Sequence, residues 1–88
     1  MESPAYSVQI IGAARREMHR IDRSQQERIR AAIRALETEP HPHGYQKMTG
    51  SKDLYRIRVG DYRVIYQIQE EQLVILIVRI RHRREAYR

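Results

Sequence analysis

No cysteine occurs among the 88 residues. That absence excludes a disulfide scaffold and a thiolate metal site, and points to a reducing compartment. No run of about 18 apolar residues is present, so no membrane-spanning helix is expected. The opening MESPAYSVQ has neither a basic segment nor a long apolar stretch, so it does not read as a signal peptide. A cytoplasmic location is the expectation. Lysine is scarce as well: Lys47 and Lys52 are the only two among 17 basic side chains. Arginine serves where planar, two-pronged contact with phosphate or carboxylate matters. Acidic groups number 11, leaving a net charge of +6. Residues 1–51 hold eight basic and six acidic groups, and residues 52–88 hold nine and five. A polyanionic partner is the natural reading of that balance.

The length fits one domain, residues 1–88. A domain this small buries only roughly 60–65% of its unfolded surface and is marginally stable. Tyr6 to Ile11 is rich in strand formers and Gly12 breaks it. Ala14, Met18 and Ile21 then recur at helical spacing. Ser24 to Glu27 has the form of a capping box. The helix after it places Ile29, Ala32, Ile33 and Leu36 on one stripe, with Arg28, Arg30 and Arg34 facing away. It should end before Pro40. His41 to Ser51 reads as a loop, and its HPH pair, without an acid or cysteine cluster, carries no metal expectation. Strands follow at Leu54–Val59, Tyr62–Gln69 and Leu73–Ile80. LVILIV within the last is apolar on both faces, as in an internal strand. The order β-α-α-β-β-β predicts an α+β domain: two helices on one face of a small, mostly antiparallel sheet.

YRIRVGDYRVIY, Tyr55 to Tyr66, carries three arginines on a hairpin the core needs. Gly60-Asp61 suits a two-residue turn of type I′ or II′ and fixes the register. Arg58 then faces Arg63, and Tyr55, Ile57, Val59, Tyr62, Val64 and Tyr66 share the apolar face. Arg56, Arg58 and Arg63 lie on the other. Like charges directly cross-strand cost several tenths of a kcal/mol. A departure of this kind from local consistency often marks a function. Arg79 and Arg81 share one face at the end of the last strand, and the tail adds His82, Arg83, Arg84 and Tyr87. A cationic surface with an aromatic at its rim suits a phosphodiester backbone and a stacked base. Lys47 and Lys52 flank it as candidate RNA contacts.

The hairpin, the MTG loop before it, the helix ending LETEP and the tail VRIRHRREAY together resemble the RelE/ParE superfamily of bacterial toxins. The resemblance implies a type II toxin–antitoxin system. Its RelE branch implies a ribosome-dependent endoribonuclease that cuts mRNA in the ribosomal A site, without a metal or other cofactor. A RelB-like antitoxin would silence it in a hetero-oligomer. By position, Arg56 and Arg58 fall where the best-known RelE has lysines. Arg63 falls on the arginine of the family's GYR segment, Arg81 on the one after the last strand, and Tyr87 on an aromatic near the C-terminus. Arginine keeps its proton, so Arg58, Arg63 and Arg81, with Arg56 in support, are expected to stabilise charge. Tyr87 would stack on a base or orient the 2′-hydroxyl. His82 is the one histidine near the patch, and imidazole is the side chain that exchanges protons near neutral pH. Alternation nonetheless puts it across the sheet from Arg81. Arg79, Arg83 and Arg84 would contact RNA. Two other readings are a ParE-type toxin that inhibits DNA gyrase, and an RNA-binding module that does not cut.

Overall fold

Alternating and apolar segments in the C-terminal half build a sheet, and the amphipathic segments before them cover one of its faces. The computed structural model describes residues 5–50 and 53–86. In chain order the elements are β1 (Ser7–Ile10), α1 (Gly12–His19), α2 (Arg23–Ala35), β2 (Gln46–Lys47), β3 (Leu54–Val59), β4 (Tyr62–Gln69), β5 (Val74–His82) and α3 (Arg83–Ala86). The sheet order is β1-β5-β4-β3-β2. Among the described residues only the β1–β5 pair is parallel, because the two helices carry the chain from one sheet edge before it returns.

The expected α+β architecture is present, with one added strand. β2 lies in the segment expected to be a loop. The buried Tyr66 hydroxyl donates to the Pro40 carbonyl at 2.8 Å, and Met48 N–H donates to Leu54 O at 2.9 Å. These contacts hold the loop close enough to pair Gln46 with Arg56. The tail contributes α3. The capping box does not form: α2 begins at Arg23 and its N-cap, Asp22, makes no side-chain hydrogen bond. Gln26 secures this corner instead, donating from Nε2 to the carbonyls of Met18 and Ile21, both at 2.9 Å. One carbonyl in the last turn of α1 and one just beyond it thereby gain a donor.

The core lies between the helices and one sheet face. Ala14, Met18, Ile29, Ile33 and Leu36 meet Ile57, Val64, Tyr66, Ile75, Ile77 and Ile80. Full burial of an Ile, Leu or Val side chain contributes about 1.5–3 kcal/mol against exposure, set against the entropy of ordering the chain. Gly60 has φ +60°, and among the described residues Leu73 is the only non-glycine with positive φ. Positive φ at the first turn position alone is the type II′ pattern, which settles the choice left open by the sequence. The expected β3–β4 register is present in full, Tyr55↔Tyr66 through Val59↔Tyr62.

One irregularity decides what β5 presents. Tyr66 pairs with Ile77, but Ile65 pairs with Arg79, so Val78 is an extra residue in a β-bulge. Uninterrupted alternation from Ile77 would have aimed Arg79 and Arg81 at the helices. The bulge instead buries Ile80, 2% exposed, and delivers both arginines to the face that carries Arg56, Arg58 and Arg63.

Candidate polyanion-binding site

Registers β3–β4 and β4–β5 together align Arg58, Arg63 and Arg81 across three neighbouring strands. Strands lie about 4.8 Å apart, so the backbone positions of this row span about 10 Å. The next rung along the sheet holds Arg56, Ile65 and Arg79. A cleft of about 330 Å³ lies on the β3 side, lined by Gly44, Gln46, Arg56, Ile57, Arg58 and Arg63. Arg58 is exposed, while Arg56, Arg63 and Arg81 are half-buried. The Nη1 atom of Arg63 is shielded from solvent by its neighbours.

Several of these guanidiniums are oriented by specific acceptors. Arg56 donates through Nε and Nη2 to Gln46 Oε1, at 2.9 and 2.6 Å. Arg58 Nε donates to Gly60 O at 3.3 Å. On the β5 side, Glu17 of α1 accepts from Arg79 Nε and Nη2 at 3.0 and 2.7 Å and lies 3.9 Å from Arg81 Nε. Its other oxygen accepts the Ile80 N–H at 2.7 Å. Burial pushes the Glu17 carboxyl up. The hydrogen bonds from Arg79 and Ile80, with the charges of Arg79 and Arg81, outweigh that and hold it below its ordinary 4.5. At the hairpin tip, Arg83 N–H donates to Asp61 O at 2.7 Å, and Arg83 Nε lies 4.0 Å from Asp61 Oδ1. α3 therefore starts from the tip of the β3–β4 hairpin.

Not every expected residue joins the row. His82 pairs with Tyr62 on the helix-facing side, ring centroids 5.2 Å apart and nearly perpendicular. Its Nδ1 accepts the Arg84 N–H at 3.2 Å. The sheet separates it from Arg58 and Arg63, because β5 continues through it and alternation holds. Lys47 pairs with Tyr55 while Gln46 pairs with Arg56, so Lys47 belongs to the face opposite the arginines. Arg84 is exposed on α3. Lys52 and Tyr87 lie outside the described residues. His41 packs edge-on against Tyr45 and Tyr55, centroids 5.0 and 5.3 Å away, and so belongs to an aromatic cluster beside β3. Among the described residues, no group of three or more His, Asp or Glu side chains is placed to hold a metal ion.

Two contributors carry no clear mark in the sequence. Gln46 sits in a segment with no strand signal. Glu17 is the only acid in α1, one residue from the buried stripe, and that position was its single faint sign.

A small basic α+β domain thus carries a row of arginines, several held by specific acceptors, across one sheet face. The chain belongs to the ParE toxins of type II toxin–antitoxin systems, parDE, whose family model matches residues 8–87. It is thus a member of the RelE/ParE superfamily, as the hairpin and tail implied. Toxin RelG of Mycobacterium tuberculosis is 31% identical in an alignment that covers 94% of this chain and 97% of RelG. The archaeal RelE–RelB complex from Pyrococcus horikoshii OT3 contains a chain that superposes with a TM-score of 0.81 at 32% identity. The match covers 90% of this chain and 96% of that one. The isolated Escherichia coli RelE toxin shares the fold, with a TM-score of 0.78 at 21% identity over 94% of this chain and 96% of its own.

Proposed function

We propose that this toxin is an mRNA interferase of RelE type, which cuts mRNA in the ribosomal A site and so stops translation. The observation that carries the reading is the Arg58–Arg63–Arg81 row, with Arg56 beside it. In this cleavage the ribose 2′-hydroxyl attacks the adjacent phosphate, the bond to the 5′-oxygen breaks, and a 2′,3′-cyclic phosphate and a 5′-hydroxyl remain. Negative charge builds on the phosphoryl oxygens. Donors already aimed there stabilise it without reorganisation, each worth about 10²–10³ in rate. The row can stabilise that charge without a metal ion. Arginine does not accept the proton of the 2′-hydroxyl, so the row positions and stabilises, and proton transfer falls to groups outside it. Tyr87 is the candidate for stacking on a base or orienting the 2′-hydroxyl.

The partner proposed for the resting state is a RelB-like antitoxin, by analogy with the Pyrococcus RelE–RelB complex. A second reading keeps the fold and changes the target: the family model is that of ParE toxins, and a ParE-type toxin would trap DNA gyrase. End chemistry separates the two. RNA recovered from translating ribosomes treated with the protein should carry new 5′-hydroxyl and 2′,3′-cyclic phosphate ends, which Arg81→Ala should abolish. Unbroken mRNA beside gyrase-trapped DNA breaks would select the second reading.

A further inference from the structure

We propose that Glu17 is a positioning residue of the arginine site: it occupies the open edge of β5 in place of a strand and sets Arg79 and Arg81. The inference rests on the reading of the Arg58–Arg63–Arg81 row as the RNA-cleaving surface.

The need for such a group follows from the topology. β1 pairs with β5 only from Ser7↔Val74 to Ile10↔Ile77. Ile11 N–H makes the last contact, to Ile77 O at 3.1 Å, and Gly12 then starts α1. β5 runs on through His82 with β4 on one side and, among the described residues, no strand on the other. This is also the stretch that follows the Val78 bulge, where ladder geometry is weakest. An edge N–H there needs an acceptor. Glu17 supplies it to Ile80 at 2.7 Å, from a helix rather than a strand.

A single carboxylate does two things at once. One oxygen pins the β5 backbone; the other takes the Nε and Nη2 of Arg79 and stands 3.9 Å from Arg81 Nε. Backbone and side chains of the post-bulge segment are therefore referred to one rigid point on α1, whose Ala14 and Met18 are anchored in the core. Charge-assisted hydrogen bonds of this length are about twice as strong as neutral ones. Glu17 also offsets positive charge at one end of a row that has Arg81 opposite Arg63. A cleft of about 320 Å³ opens beside it, with Arg20, Arg79, Arg81 and His82 in its lining.

Glu17→Gln preserves shape but replaces one oxygen by an NH2 donor. That donor must face either the Ile80 N–H or the Arg79 guanidinium, each itself a donor. Two readouts test the inference on the full-length chain, with Glu27→Gln on the exposed side of α2 as control. In NMR spectra of the side-chain Nε–H groups, Glu17→Gln should shift the Arg79 and Arg81 signals and speed their exchange, leaving core amides in place. On translating ribosomes it should lower kcat about tenfold or more, since a small misplacement of a reacting group costs up to about 100-fold, while KM changes less than about threefold. Undisturbed Arg81 signals would overturn the proposal, as would disturbed signals with unchanged kcat. If the wild-type chain cuts no mRNA, the nuclease reading fails, and the NMR readout alone decides whether Glu17 sets Arg81.

Discussion

Replacing Arg63 by glutamine should make the protein more stable and less active. Arg63 is the middle of the row, with Arg58 directly opposite on β3 and Arg81 directly opposite on β5. Each like-charge pair costs several tenths of a kcal/mol, and Arg63→Gln relieves both. Glutamine keeps part of the aliphatic stem, so little packing is lost. The expected gain is about 0.5–1 kcal/mol, equivalent to a Tm rise of about 2–6 °C in a domain of this size. Cleavage on translating ribosomes should fall about 10²–10³-fold, the usual loss for a donor aimed at developing charge. Scanning calorimetry and single-turnover cleavage measure the two quantities on one preparation. Arg34→Gln, on the exposed side of α2, should change neither by more than about 0.5 kcal/mol. On this view the row serves function at the expense of the fold. A lower Tm with cleavage intact would refute it, because Arg63 would then be a structural residue.

Three further outcomes follow from other contacts. Tyr66→Phe should cost about 1 kcal/mol in urea unfolding, since it removes the hydroxyl that donates to Pro40 O. Burial, then Tyr55 and Tyr45, raise the Tyr66 hydroxyl above its ordinary 10.0. Its contribution is complete below pH 10 and fades as the pH rises further, so the mutant should show a flatter alkaline stability profile. Glu17 has the opposite sign. Its folded value is lowered from 4.5, so its contribution is present above pH 4.5 and is lost as the pH falls through the lowered value. Glu17→Gln should flatten that acid limb in pH-dependent urea titrations. Gly60→Ala should lose about 1–2 kcal/mol in the same assay, because φ is +60° there. The new Cβ would also stand 3.2 Å from Arg28 Nη1.

The hairpin was legible because its chemistry is local. Gly60-Asp61 admits few turn types, each fixes the register, and the period of two then sorts Arg56, Arg58 and Arg63 from the apolar residues. β5 was legible only in part. LVILIV carries no polar residue to mark a face, so an extra residue at Val78 leaves no trace in the pattern. Its effect shows only against β4, where Ile65 meets Arg79. Glu17 was hidden for a different reason: its partners lie 62 and 63 residues away, and nothing in the α1 sequence points to them. Ser24 to Glu27 had the letters of a capping box, yet Gln26 holds that corner by reaching two carbonyls across the turn. Local motifs thus gave the rungs, and the tertiary contacts that aim them came from residues with unremarkable neighbours.

The central claim is that the arginine row acts on RNA in the ribosome. Mapping mRNA 5′ ends on translating ribosomes, with the wild-type chain beside Arg58→Gln, Arg63→Gln and Arg81→Gln, tests it most directly. Breaks should be confined to A-site codons, and each variant should slow them by about 10²-fold or more. Breaks that persist in all three variants, or intact mRNA accompanied by gyrase-trapped DNA, would contradict it.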